Sequence, residues 1–261
     1  MRRKLARVAA LLLACHGCAK AEPAPRRTAP WLASASASDS ATPPPGNVKR
    51  SFRIDAASSR IQFSLPGRKA NPSGQVPVLG GKLELALSEL AAARASVEAD
   101  LRGISIDPDS LPEDAALTLA PGLLALQWLE LGPDVSSEKR QQFARARFEL
   151  SSLEGLSQGA LDTTSQRPAK VRATAIGSLL LHGFRAPVRV ELVLQALPTP
   201  PGAPLRLSIR TASPLVLPLA PHDIGPRSAA GIAEPGEAAR AEASLGKNAK
   251  IEVELVAEAL P

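Results

Sequence analysis

Residues 188–195 read Val-Arg-Val-Glu-Leu-Val-Leu-Gln. In an extended chain Val188, Val190, Leu192 and Leu194 point one way, and Arg189, Glu191, Val193 and Gln195 point the other. A repeat of two residues marks a strand with one apolar and one wet face. Such strands belong to antiparallel sheets, because parallel sheets are covered on both faces. The pattern recurs. Ile251, Val253, Leu255 and Ala257 alternate with Glu252, Glu254, Val256 and Glu258. Leu83, Leu85 and Leu87 alternate with Lys82, Glu84 and Ala86, and Leu205, Leu207 and Ile209 with Arg206, Ser208 and Arg210. Shorter versions lie at 61–65, 96–102 and 145–150.

Many such strands with no long helices between them imply a sandwich or a barrel. Closure removes exposed edges, so a barrel is the expected solution for so many long strands. The expected fold class is all-β: an extended antiparallel β-barrel with one short helical insert. The insert falls at Ser136–Ala144, where Ser136 or Ser137 can cap a helix and Glu138 sits in its first turn. Leu117–Leu131 is strongly apolar and is interrupted by Pro121-Gly122, while Pro226–Gly246 is rich in Gly, Ala and Pro and reads as a loop. No internal repeat recurs at a fixed period.

The formal charge of +6 is unevenly placed. Residues 1–14 carry +4 and residues 15–50 carry +3, which leaves −1 for residues 51–261. A near-neutral domain offers no broad phosphate-neutralising surface, so nucleic acid is not an expected partner. Hydrophobic residues make up 44% of the chain and aromatics only 3%, with no Tyr. Any core or pocket must therefore be built mainly from Leu, Val, Ile and Ala.

The N-terminus reads as an address. Arg2, Arg3, Lys4 and Arg7 form a positive start, and 8–14 is an unbroken apolar run. That run is far short of the ~20 residues a spanning helix needs. The pattern is that of a secretory signal peptide, here 1–14. Leu12-Leu13-Ala14-Cys15 resembles the lipobox of bacterial lipoproteins, which makes Cys15 the expected lipidation site, ahead of Cys18 and of an unlipidated cleavage. More than one acyl chain on that Cys gives stable attachment to a membrane. Residues 15–50 are dominated by Ala, Pro and Ser and read as a linker, with Trp31 alone in it. The domain proper is expected at 51–261. His16 after Cys15, by resemblance to enterobacterial sorting, leans toward the outer membrane, on the periplasmic side of the envelope.

Gly177-Ser-Leu-Leu-Leu-His-Gly-Phe-Arg-Ala-Pro-Val188 resembles the most recognisable segment of the YceI-like family, roughly Gly-x-Leu-Thr-Leu-His-Gly-Val-Thr-Lys-Pro-Val. Phe52-Arg-Ile-Asp55 and Ser59 to Phe63 resemble the opening strand, and Gly80-Gly-Lys-Leu-Glu-Leu85 the second. Ser105-Ile-Asp107, Ala146-Arg-Phe148 and 250–258 follow in family order, so the resemblance spans 51–261. Ser58 stands where the family usually has His, and the central Arg-Asp and Phe-Phe-Asp landmarks are absent. The resemblance implies a lipocalin-like extended barrel with an apolar interior that binds polyisoprenoid or other amphiphilic lipids. The implied partner is an apolar lipid, isoprenoid or quinone-like, with no cofactor.

The residues expected to line such an interior are Ile61 and Phe63 on one strand and Leu83 and Leu85 on the next. Phe148, Leu179, Leu181, Val190 and Leu192 complete the set. The bland alternative is a structural or interaction lipoprotein whose barrel is filled by the same side chains. Catalysis has little support. Of the three histidines, His16 lies beside the cleavage site, His182 in a strand-end turn, and His222 next to Asp223 in a Pro-bounded loop. His222 and Asp223 are neighbours in sequence inside that loop, and the protein is expected not to be an enzyme. Cys15-X-X-Cys18 follows an apolar run and has no second pair at zinc spacing. Asp107, Asp109, Glu113 and Asp114 lack the Gly and closing Glu of a calcium loop and read as a solvated turn.

Overall fold

The structure, a computed structural model, describes residues 48–67, 71–110, 121–165, 167–225, 227–228, 231–232 and 247–261. The signal peptide, Cys15, Cys18, Trp31, Glu113, Asp114 and most of the linker lie outside the described residues. So does most of Pro226–Gly246.

The strands in chain order are β1 (Lys49–Ile54), β2 (Arg60–Ser64), β3 (Ser73–Val76), β4 (Val78–Ala86), β5 (Glu89–Asp100), β6 (Ser105–Ile106) and β7 (Arg145–Glu154). They continue with β8 (Val171–Leu181), β9 (Phe184–Leu197), β10 (Arg206–Thr211), β11 (Leu215–Pro218), β12 (Arg227–Ser228), β13 (Gly231–Ile232) and β14 (Asn248–Ala259). Two short helices, α1 (Pro121–Trp128) and α2 (Ser137–Phe143), join β6 to β7. β1 begins at Lys49, two residues inside the stretch read as linker.

Eight strands close on themselves. β1, β4, β5, β7, β8, β9, β10 and β14 pair antiparallel in that order, and β14 pairs back onto β1. β14 is long enough to serve two partners on each side. Its second half pairs with β1 and β10, and its first half with β2 and β11. β3 and β6 continue the sheet beyond β2. The barrel is thus extended at the end where β14 begins. Eight strands leave an interior that side chains can fill, or that can hold one small ligand.

The β8–β9 hairpin shows how local chemistry sets the register. Leu181 pairs with Phe184, so only His182 and Gly183 form the loop. Their φ values are 50° and 79°. Two successive positive φ angles are those of a type I′ turn, whose twist matches that of the strands. Gly183 accepts this freely, and a Cβ there would stand 3.0 Å from the Phe143 ring.

Gly177 is demanded by close approach. A Cβ on it would collide with the Glu149 carbonyl oxygen and lie 2.7 Å from two atoms of the Phe148 ring, which covers it. Gly177→Val should lower the unfolding free energy by about 3 kcal/mol, because the strand cannot move away without breaking its ladder. A denaturation midpoint equal to wild type would refute that close packing.

Where one helical insert was expected, the described residues hold two. Ser136 caps α2 by accepting a hydrogen bond from the Lys139 N–H, as its sequence suggests. α1 was not foreseen, because Pro121-Gly122 looks like a break. Pro121 is instead the first helical residue, a position where its missing N–H costs nothing.

Candidate functional site

One end of the barrel is filled. Phe52, Leu90 and Leu207 are wholly buried, and Leu85 is 1% exposed. Ile251 and Val253 lie on the same inner face of β14 as the buried Leu255 and Ala257, yet are only half-buried. Inward-facing residues keep exposed surface only where the space before them is empty.

That space is two adjoining cavities, of about 210 and about 120 Å³. Ile61, Val76, Leu101, Leu181 and Ile251 border both. The larger lies within the barrel, where only Arg147 and Thr211 among its neighbours are not apolar residues. The Thr211 hydroxyl is engaged by the Val253 N–H, and Arg147 pairs with Glu98 and Glu149. The smaller cavity lies under the cap, bordered by Trp128 and Leu129 from the end of α1 and by Leu217, Leu219 and Ile224. A void so lined offers water few of the two to four polar partners it needs. Left empty it forfeits packing, on the order of 5 kcal/mol for the larger cavity at ~24 cal/mol per Å³.

The structure brings eight of the nine residues expected in the lining to these cavities. Leu83, Phe148, Leu179, Val190 and Leu192 border the larger and Phe63 the smaller, while Ile61 and Leu181 border both. Leu85 borders neither. It shares Leu83's inward face, but two residues along β4 it reaches the filled end, in the core cluster with Phe52 and Leu90. Sequence reading missed the cap residues Trp128, Leu217, Leu219 and Ile224. The alternation Leu215-Val-Leu-Pro-Leu219 carries a signal for two of them. It also missed the alanines that make the room: Ala95, Ala99, Ala146 and Ala175 all border the larger cavity.

Polar chemistry stays out of the interior. The resolved shifts near the barrel wall belong to outer-face carboxylates. The Arg185 guanidinium, hydrogen-bonded to Glu149, holds that carboxyl below its ordinary range. Asp107 and Asp109 form a surface turn closed by the Asp109 and Ser110 N–H groups. His182 is wholly buried, and its Nδ1 lies 2.9 Å from the His222 carbonyl oxygen. His222 is itself buried, while Asp223 is exposed and its carboxylate converges on His182 and Glu130.

A closed, extended eight-stranded barrel around an apolar void is a lipocalin-like fold. That barrel is the fold which the sequence resemblance to the YceI-like family implies. No protein-family model matches the sequence, and no curated protein matches it either. Among solved structures it is similar to a polyisoprenoid binding domain from Saccharophagus degradans implicated in plant cell wall breakdown. The TM-score is 0.50 at 16% identity, over 80% of this chain and 98% of that one. BcnA of Burkholderia cenocepacia gives a TM-score of 0.46 at 12% identity, over 78% and 98% of the two chains. A YCEI protein of Campylobacter jejuni gives 0.41 at 8%, over 76% and 86%.

Proposed function

We propose that this protein holds one apolar lipid chain inside its barrel and carries or stores it, without chemistry, at the bacterial envelope. The observation that supports this best is the pair of adjoining apolar cavities, of about 210 and 120 Å³, in an interior whose other end is packed solid. Each methylene taken from water contributes about 0.8 kcal/mol, so a dozen contribute about 10 kcal/mol before association costs. The ligand class proposed is isoprenoid or quinone-like. Branched methyls suit walls made of Leu, Val, Ile and Ala, and the near absence of polar lining groups leaves a headgroup no site deep inside.

Trp128 reports on this directly, because it borders the smaller cavity and is 5% exposed. In a Trp31→Phe background, a short-chain ubiquinone should quench its fluorescence saturably at micromolar concentration, with a stoichiometry of one. Quenching that rises linearly with quinone, as in simple collision, would argue against a binding cavity.

The rest of the proposal concerns placement. We infer that 1–14 directs export, that Cys15 carries the lipid anchor, and that the residues up to about 48 tether the barrel to the periplasmic face of the outer membrane. The lipobox-like Leu12-Leu-Ala-Cys15 supports this reading. Cys15→Ser should abolish incorporation of labelled palmitate in a bacterial host and release the chain from the membrane fraction. Labelling that persists in this variant and vanishes in Cys18→Ser would move the anchor to Cys18.

A further inference from the structure

Among the described residues, three other than glycine have positive φ: Glu130 at 52°, His182 at 50° and Asp223 at 52°. They come from three separate segments, and they meet. One ligand atom from each lies within 4.8 Å of the other two. Glu130 and Asp223 reach the site in the same way. After α1, the Leu131 N–H bonds to the Leu126 carbonyl and the Glu130 N–H to the Gln127 carbonyl. After the 3-10 turn Ala220–His222, the Ile224 N–H bonds to the Leu219 carbonyl and the Asp223 N–H to the Ala220 carbonyl. Both are Schellman endings, with a carboxylate residue at the left-handed position that glycine normally takes. His182 holds the first place of the β8–β9 turn.

The hydrogen bonding of His182 fixes what it offers. A carbonyl oxygen can only accept, so the contact with the His222 carbonyl puts the proton on Nδ1. Nε2 then faces Glu130 Oε2 at 3.5 Å. Two acceptors face one another there only if a positive charge lies between them, either a second ring proton or a metal ion. Ligating histidines characteristically donate their other ring N–H to a carbonyl or carboxylate. Lys139 Nζ donates to Glu130 Oε1 at 2.6 Å. Tetrahedral zinc with ~2.1 Å bonds sets its ligand atoms about 3.4 Å apart, close to the 3.5 Å between Nε2 and Oε2, and the Asp223 carboxylate lies within 4.8 Å of both. Asp223 is exposed, which gives an ion a way in and leaves a fourth position for water.

From this convergence of a buried imidazole and two carboxylates, we propose that Glu130, His182 and Asp223 form a site for a first-row divalent ion such as zinc, with Nε2, Oε2 and an Asp223 carboxylate oxygen as ligands. Leu129, Leu181 and Ile224, each next in sequence to a ligand, border the smaller cavity. A bound ion would therefore pin the end of α1, the β8–β9 turn and the 219–224 turn together over the cap cavity. The site stands whether or not a lipid occupies the barrel.

The test uses the full mature chain with Cys15 and Cys18 changed to Ser, so that thiols bind nothing. After chelator treatment, equilibrium dialysis against zinc should load one ion per chain and raise Tm by about 5 °C or more at saturating zinc. Asp223→Asn keeps a side chain that tolerates the left-handed backbone and removes the charge. It should fold with an unchanged far-UV spectrum and bind zinc at least tenfold more weakly, and Glu130→Gln should do the same. A parent chain that takes up no zinc, or an Asp223→Asn chain that binds it undiminished, overturns the proposal and leaves His182 as a buried ion-pair partner.

Discussion

Leu181→Asp is expected not to fold at room temperature. Leu181 is 8% exposed and borders both cavities, where the walls are almost wholly apolar. A carboxylate placed there loses its hydration without gaining a partner, which costs several kcal/mol even after relaxation. A domain of this size is stable by only about 5–15 kcal/mol, so the substitution removes much or all of the margin. Leu181→Met conserves volume and should cost less than about 1.5 kcal/mol. The contrast between the two, read by thermal melting, separates charge from shape. A Leu181→Asp chain that melts with wild type would mean that Leu181 does not face the interior.

Filling the void should have the opposite effect on stability and an equally large one on binding. Val190 on β9 and Val253 on β14 both border the larger cavity and are half-buried. In the double variant Val190→Phe, Val253→Phe, two rings occupy space that is otherwise empty. The recovered packing should hold Tm level or raise it by a few degrees, set against the ~5 kcal/mol an empty void of this size forfeits. Lipid uptake should fall at least tenfold. Retained uptake in a well-folded variant would place the ligand elsewhere on the molecule. A large drop in Tm would show that the interior is already full, as the alternative of a structural lipoprotein requires.

Much of this architecture is legible in the chain because a pleated strand sorts its residues strictly by parity. Leu83 and Leu85, Val190 and Leu192, and Ile251 and Val253 all take the face their spacing assigns. Parity gives a face but not a depth. Leu85 shares the inward side of Leu83, yet it lies where Phe52, Leu90 and Leu207 close the barrel, and no local pattern marks that level. The cavity itself is hard to read because it is made by what is missing. Ala95, Ala99, Ala146 and Ala175 come from three strands and look unremarkable singly. α1 is concealed by Pro121-Gly122, which reads as a break until the helix is seen to begin there. Glu130, His182 and Asp223 are 52 and 41 residues apart along the chain, and only the closed barrel brings them together.

The most direct test of a lipid held in the barrel is native mass spectrometry of the full mature chain with Cys15 changed to Ser, purified from a bacterial host without detergent, followed by organic extraction. The expected spectrum shows a discrete excess mass of one lipid per chain, which extracts as an apolar isoprenoid or quinone and is lost from the Val190→Phe, Val253→Phe variant. A clean ligand-free mass that stays unchanged after incubation with polyprenols and quinones would contradict lipid carriage and leave the protein to act through its surface.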